Sequence, residues 1–234
     1  MPILSRNLLI SLIFIPVVLF GQVNIKVGYI GGFTKAPVLN EVVSDFGKRF
    51  LTNHPTGKMD DALDQFRSLH GLEIGLRYKL SNVGFELSWH NMSDKSDVFA
   101  TLTDKTNFSD KWYLSLTQYS FGIENYFGHL GYGASLGYRT ARMKTEISGA
   151  PRKKRTVTNE SGYSSKFYLI FQFPSEKVGI AFKPYVEVPL KNIDISSFDQ
   201  ELNDQLYPSY RAITPQEERF FLYGISIVLY NGRQ

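Results

Sequence analysis

The chain contains no cysteine, which excludes disulfide staples, thiolate metal sites and attachment of a lipid through a cysteine thioether. It has only four histidines, His54, His70, His90 and His129, and none stands near a second histidine or a carboxylate at metal-ligand spacing. No metal and no cofactor is therefore expected. A single-sign charge excess is missing too: 26 basic against 22 acidic residues give a formal net charge of +4, too mild for nucleic-acid binding. After Phe20 no apolar run approaches the length of a membrane helix. Glycine pairs such as Gly31-Gly32 stand inside extended stretches, without the strand–loop–helix setting of a phosphate cradle.

What is present begins with Arg6-Asn7 and an uncharged run from Leu8 to Phe20. That run is too short to span a bilayer comfortably and fits the core of a secretory signal peptide. Cleavage is expected after Gly21, with residues 1–21 removed and 22–234 forming the mature domain. Loss of Arg6 would lower the net charge to about +3.

A period-two code then dominates. Between His70 and His90, Leu72, Ile74, Leu76, Tyr78 and Leu80 alternate with Glu73, Gly75, Arg77 and Lys79. After Ser81-Asn82 the code resumes, with Val83, Phe85, Leu87 and Trp89 against Gly84, Glu86, Ser88 and His90. Side chains on a strand alternate between faces, so this is a hairpin with one apolar and one charged face. The same code predicts eight strands: 23–31, the two arms of this hairpin, 111–127, 130–144, 164–173, 178–190 and 219–230. Within 111–127 the apolar face switches from Leu114 and Leu116 to Tyr119, Phe121 and Ile123, which predicts a bulge near Thr117-Gln118.

Hairpin-length links at Ser81-Asn82, Gly128-His129 and Ser175-Glu176-Lys177 alternate with long connections at about 34–69, 93–110, 145–163 and 191–218. Short turns on one side and long loops on the other are the asymmetry of a transmembrane barrel. The expected fold is all-β, an eight-stranded antiparallel up-and-down transmembrane barrel with short helices in the long extracellular loops. Val38, Leu39, Val42, Val43, Phe46 and Phe50 predict one helix, and Ala62, Leu63, Phe66 and Leu69 after Asp60-Asp61 a second. Phe198, Leu202 and Leu206 before Pro208 predict a third. Loops 34–69 and 191–218 are the expected contact surface for a protein partner, or a lid.

In hydrocarbon the backbone must pair internally, so the apolar faces point out and the polar faces fill the lumen. The expected lumen network is Lys26, Glu73, Arg77, Lys79, Glu86, Glu124, Arg139, Lys183 and Glu187, which must pair because lone buried charges are costly. Trp89, Trp112, Tyr113, Tyr126 and Phe127 stand near strand ends and are expected as interfacial anchors.

The leader, the eight strands and the loop asymmetry resemble the small OmpA/OmpX-type outer-membrane barrels. The Leu19-Phe20-Gly21-Gln22 region and the strand Lys183 to Leu190 are more narrowly similar to outer-membrane barrels of Bacteroidota. The resemblance is architectural and covers the mature chain. Gly224, Ile227 and Leu229 resemble the signal read by the barrel-insertion machinery, with Leu222 and the Asn231-Gly232-Arg233-Gln234 end departing from it. It implies the outer membrane of a Gram-negative bacterium, contact with outer-membrane lipids and lipopolysaccharide, and a structural, surface-contact or envelope-complex accessory role. A narrow pore or carrier for small hydrophobic molecules is the alternative, and a soluble lipocalin-like barrel would need every face reversed. Arg152, Lys153, Lys154 and Arg155 are expected to meet lipopolysaccharide phosphates, which guanidinium forks bind well. A lipid-modifying enzyme would need Ser88 with Glu86 and His90, which share a face. That face is expected to be luminal, away from acyl chains, so no catalytic residue is assigned.

Overall fold

A computed structural model describes residues 22–147, 154–204 and 206–231. The expected signal peptide, Arg152 and Lys153 lie outside these residues. Eight strands form the wall: β1 (Gln22–Lys35), β3 (Ser68–Leu80), β4 (Val83–Thr101), β5 (Asn107–Phe127), β6 (Leu130–Ile147), β7 (Arg155–Phe173), β8 (Val178–Pro189) and β11 (Phe221–Asn231). Each pairs antiparallel with its neighbour in this order, β11 pairs with β1, and the sheet closes on itself. Closure leaves the wall without a free edge along its base, the condition for a strand structure surrounded by hydrocarbon. The tight turns are placed by backbone chemistry: Ser81 and Gly128 take φ of 49° and 63°, the left-handed region that glycine enters without strain.

The outer face of the lower wall is apolar. Tyr119, Leu136 and Tyr163 are 63%, 65% and 64% exposed, and Leu72, Phe127, Phe167 and Phe173 stand out in the same way. On β5 the belt runs from Tyr119 to Phe127. At about 3.4 Å per residue and a strand tilt near 40° that is about 21 Å tall, close to the apolar band of outer-membrane barrels.

Above the belt the two faces exchange character. On β5 the inward side chains pass from Glu124, Ser120 and Gln118 to Leu116, Leu114 and Trp112, all buried. The outward ones pass from Phe121 and Tyr119 to Thr117, Ser115 and Lys111. The bulge expected near Thr117-Gln118 is absent: β5 keeps one register against β4 and β6 along its whole length. What changes is the surroundings, lipid outside and polar filling inside below, water outside and an apolar core inside above. For the same reason the expected loops 93–110 and 145–163 are largely strand, because β4 to β7 continue upward as a wall with its faces reversed.

That core is closed by the other two long connections. Helix α1 (Pro37–Asn53) starts with Pro37 in its first turn, where a missing N–H costs nothing, and buries Leu39, Val42, Val43, Phe46 and Phe50 on one stripe. Helix α2 (Ser196–Asp204) buries Phe198 and Leu202. The second expected helix, around 60–69, does not form. Instead β2 (Lys58–Asp61) pairs with the overhanging end of β4, covering an edge that β3 does not reach, while Leu63, Phe66 and Leu69 still enter the core. Short strands β9 (Ile193–Asp194) and β10 (Glu217–Glu218) pair at the base of the α2 loop.

Candidate functional site

At mid-height the lumen holds a connected set of charges. Glu86, from β4, is its hub: Lys26 Nζ lies 2.7 Å from Oε1, Lys183 Nζ 2.7 Å from Oε2, and the Tyr230 hydroxyl donates to Oε2 at 3.3 Å. Lys26 also meets Glu73 at 2.5 Å, and Lys183 meets Glu124 at 2.6 Å. Ser226 donates to Glu73 and Tyr126 to Glu124. Below them Arg77 donates to Asn24 at 3.0 Å and to the Tyr126 hydroxyl at 3.1 Å, with its guanidinium 3.7 Å from the Tyr230 ring centre. Above them Arg139 meets Glu187 at 3.1 Å and donates to the Phe220 carbonyl at 2.9 Å. Each cation therefore has acceptors or ring faces within reach, which is what burial of charge requires.

Eight of the nine sequence-derived lumen charges are buried, six in this set and Arg139 with Glu187 as a separate pair above it. Lys79 is the exception: it is half-buried near the Ser81 turn, 4.4 Å over the Tyr126 ring, with no ion pair among the described residues. Sequence reasoning missed Lys166, buried 3.7 Å from Glu73. Its signal was available, since Lys166 alternates with the outward Phe167 and Leu169. Room for the network comes from small residues; a Cβ on Gly133 would stand 2.6 Å from the ring of Tyr168.

The triad reading fails on geometry. Ser88 contacts Ser120 at 3.1 Å and Glu86 at 3.4 Å, whereas both ring nitrogens of the buried His90 are without a hydrogen-bond partner. A nucleophile needs its base within hydrogen-bond reach, and that contact is not made. Among the described residues no cluster of histidines and carboxylates is arranged to hold a metal ion.

The upper mouth is shut by the cap. Trp112 meets Phe198 edge to face, with ring centres 4.7 Å apart. Two contacts lock the loops together: the Leu39 N–H donates to Glu218 at 2.8 Å, and Arg49 donates to Asn203 while lying 4.2 Å from the Tyr210 ring centre. Burial pushes the Glu218 carboxyl above its ordinary range, against the hydrogen bonds it accepts. Asp194 is lowered by the Ser196 hydroxyl and N–H at the start of α2. Trp112 and Tyr126, expected as interfacial anchors, are instead buried in the cap and the lumen. Phe127 is outward and exposed, and Trp89 and Tyr113 are outward and half-buried.

Of the basic run, Lys154 lies 3.9 Å from the Tyr113 ring centre and Arg155 is paired with Glu201. Register places Lys95, Tyr113 and Lys144 in one row of the outer wall above the belt, beside Arg142, which donates to Asn159 at 3.1 Å.

No protein-family model and no curated protein matches the sequence. Several solved structures are similar, and two of them are covered almost end to end. One is Ail, the attachment invasion locus protein of Yersinia pestis, in complex with the heparin analogue sucrose octasulfate: 10% identity, TM-score 0.46, 89% of this chain and 98% of that one covered. The other is Neisserial surface protein A (NspA): 6% identity, TM-score 0.41, with 91% and 98% covered.

Proposed function

We propose that the chain spans the outer membrane of a Gram-negative cell as a sealed, non-enzymatic barrel whose capped upper half serves surface contact or an envelope complex. One observation carries this: a continuous apolar belt faces outward around a lumen of paired charges. A soluble barrel would have to expose Leu136, Tyr119 and Tyr163 to water for no return, and the hydrophobic effect opposes that. Among the described residues the charge network and the cap leave no wide path through the lumen, which favours a structural element over a conduit. Loops 34–69 and 191–218 are the partner surface in this proposal, with most of their apolar residues turned into the cap core and Leu51 and Ile213 presented outward with the polar ones. Lipid phosphates are the second partner. Lys154, Arg142 and Lys144 offer cations just above the belt, Arg152 and Lys153 extend the same run, and Arg155 is already committed to Glu201.

Fractionation of the expressed protein tests this. Recovery in the outer membrane, with faster gel mobility before boiling than after, is the expected result. Recovery as a soluble protein, or the absence of a heat-dependent shift, would overturn it.

A further inference from the structure

On the outside of the belt a furrow of about 870 Å³ crosses six strands. Its floor follows one row across the wall, unpaired only between Leu169 and Pro184: Tyr132 on β6, Leu169 on β7, Pro184 on β8, Ile225 on β11, Gly31 on β1 and His70 on β3. Rows run perpendicular to tilted strands, so this one climbs. Tyr132 lies just above the Gly128 turn, whereas His70 lies at the top of β3, where the belt ends. Six strands at about 4.8 Å spacing make the row about 24 Å long, and at a tilt near 40° it rises about 15 Å. That rise is about two thirds of the belt's height, and it ends at the belt's upper boundary.

The furrow is low for identifiable reasons. Gly31 has no side chain; a Cβ there would meet the Tyr29 hydroxyl at 2.6 Å, because Tyr29 lies down across it to bond His70 Nδ1. Pro184 presents only its ring. It also interrupts the wall: the Leu190 N–H donates to the Tyr163 carbonyl, which sets the alternation, and by that alternation the nitrogen of Pro184 points at the Leu169 carbonyl with no proton to give. The β7–β8 ladder is accordingly missing between Tyr168–Tyr185 and Phe171–Phe182. Walls of Phe167, Val186 and Tyr223 rise beside this floor. The lower length is apolar, and the upper end carries a hydroxyl and an imidazole.

We propose that this furrow is a binding site for one acyl chain of an outer-leaflet lipid, held along the row with its polar end at Tyr29 and His70. The site takes a single chain because its floor is a single row, and it takes an outer-leaflet lipid because its polar end lies at the upper boundary of the belt. This rests on the membrane-spanning proposal.

The full-length chain is inserted into vesicles of palmitoyl-oleoyl phosphatidylethanolamine, re-extracted in excess mild detergent, and weighed by native mass spectrometry. Val186→Trp fills the furrow, with Ile225→Trp as a second filler should the first not insert. Leu136→Trp adds the same bulk on the belt away from it. Wild type and Leu136→Trp are expected to keep one lipid per chain, and the fillers to keep it at least tenfold less. Equal retention by a filler, or no lipid on a wild type that inserts and shifts on boiling, would overturn the site alone. Failure of the wild type to insert would remove the membrane proposal and the site with it.

Discussion

Replacing Glu86 by alanine removes two ion pairs at once and isolates the energetics of the lumen. Each contact stands at 2.7 Å, about 6 kcal/mol of attraction at an effective dielectric constant near 20, before desolvation is subtracted. Neither lysine is left bare, because Lys26 keeps Glu73 and Lys183 keeps Glu124. Yet Lys26, Arg77, Arg139, Lys166 and Lys183 already outnumber the four buried carboxylates of the lumen, Glu73, Glu86, Glu124 and Glu187, and the deletion widens that gap in a buried site. The expected loss is about 3–5 kcal/mol, the cost of breaking a buried pair from one side. Glu86→Gln, which keeps an acceptor, should lose less, about 1.5–3 kcal/mol. Urea unfolding of the vesicle-inserted barrel, followed by tryptophan fluorescence and by gel mobility, measures both. Adding Lys183→Met to Glu86→Ala should recover about 1–3 kcal/mol of the summed single losses. A Glu86→Ala loss below about 1 kcal/mol, or strict additivity in the double variant, would refute a coupled network.

Three further outcomes are expected. Trp112→Ala opens a cavity against Phe198 in the cap and should cost about 3–5 kcal/mol; limited proteolysis should cut 34–69 and 191–218 faster while the heat-dependent mobility of the barrel persists. Glu218, raised by burial, contributes stability that is fully present below its unfolded range and is lost as pH rises through the folded value. Protection of the Leu39 amide, corrected for intrinsic exchange, should therefore increase as pH falls from neutrality toward the carboxyl range, and the trend should vanish in Glu218→Gln. In planar bilayers the wild type should show no steady conductance; stable single-channel steps would contradict a plugged lumen.

The strands and their lower faces were legible because a membrane wall writes a simple code, apolar out and polar in, over about nine residues per strand. Lys26, Glu73, Glu86 and Glu124 could be assigned to one compartment on parity alone. Their partners could not, since which lysine reaches which carboxylate depends on barrel closure and shear, set by pairings far apart in sequence. Lys166 shows a different failure. Parity places it inward, but the neighbouring Phe167 and Leu169 dominate the strand's pattern and report the lipid face alone.

The upper half departs from the sequence pattern for a physical reason that its residues make plain. An apolar–polar alternation reports which side of a strand is wet, and it reports nothing about which side is the lumen. Leu114 and Leu116 therefore looked out of phase with Tyr119 and Phe121, and a bulge was the local way to reconcile them. The strand keeps its register and the solvent changes sides instead. At that height α1 and α2 supply an apolar interior, so Trp112, Leu114 and Leu116 turn inward beside Met92 and Met143. Outside, the row Asn91, Thr117, Thr140 and Ser161 begins the wet surface, with Asn91 bonded to Thr117 at 2.6 Å and Thr140 to Ser161 at 2.9 Å. In a barrel of this kind the point where the alternation flips without a shift in pairing marks where lipid gives way to water. On β5 that point falls between Thr117 and Tyr119, and the cap above it is a small water-facing domain built on the same strands.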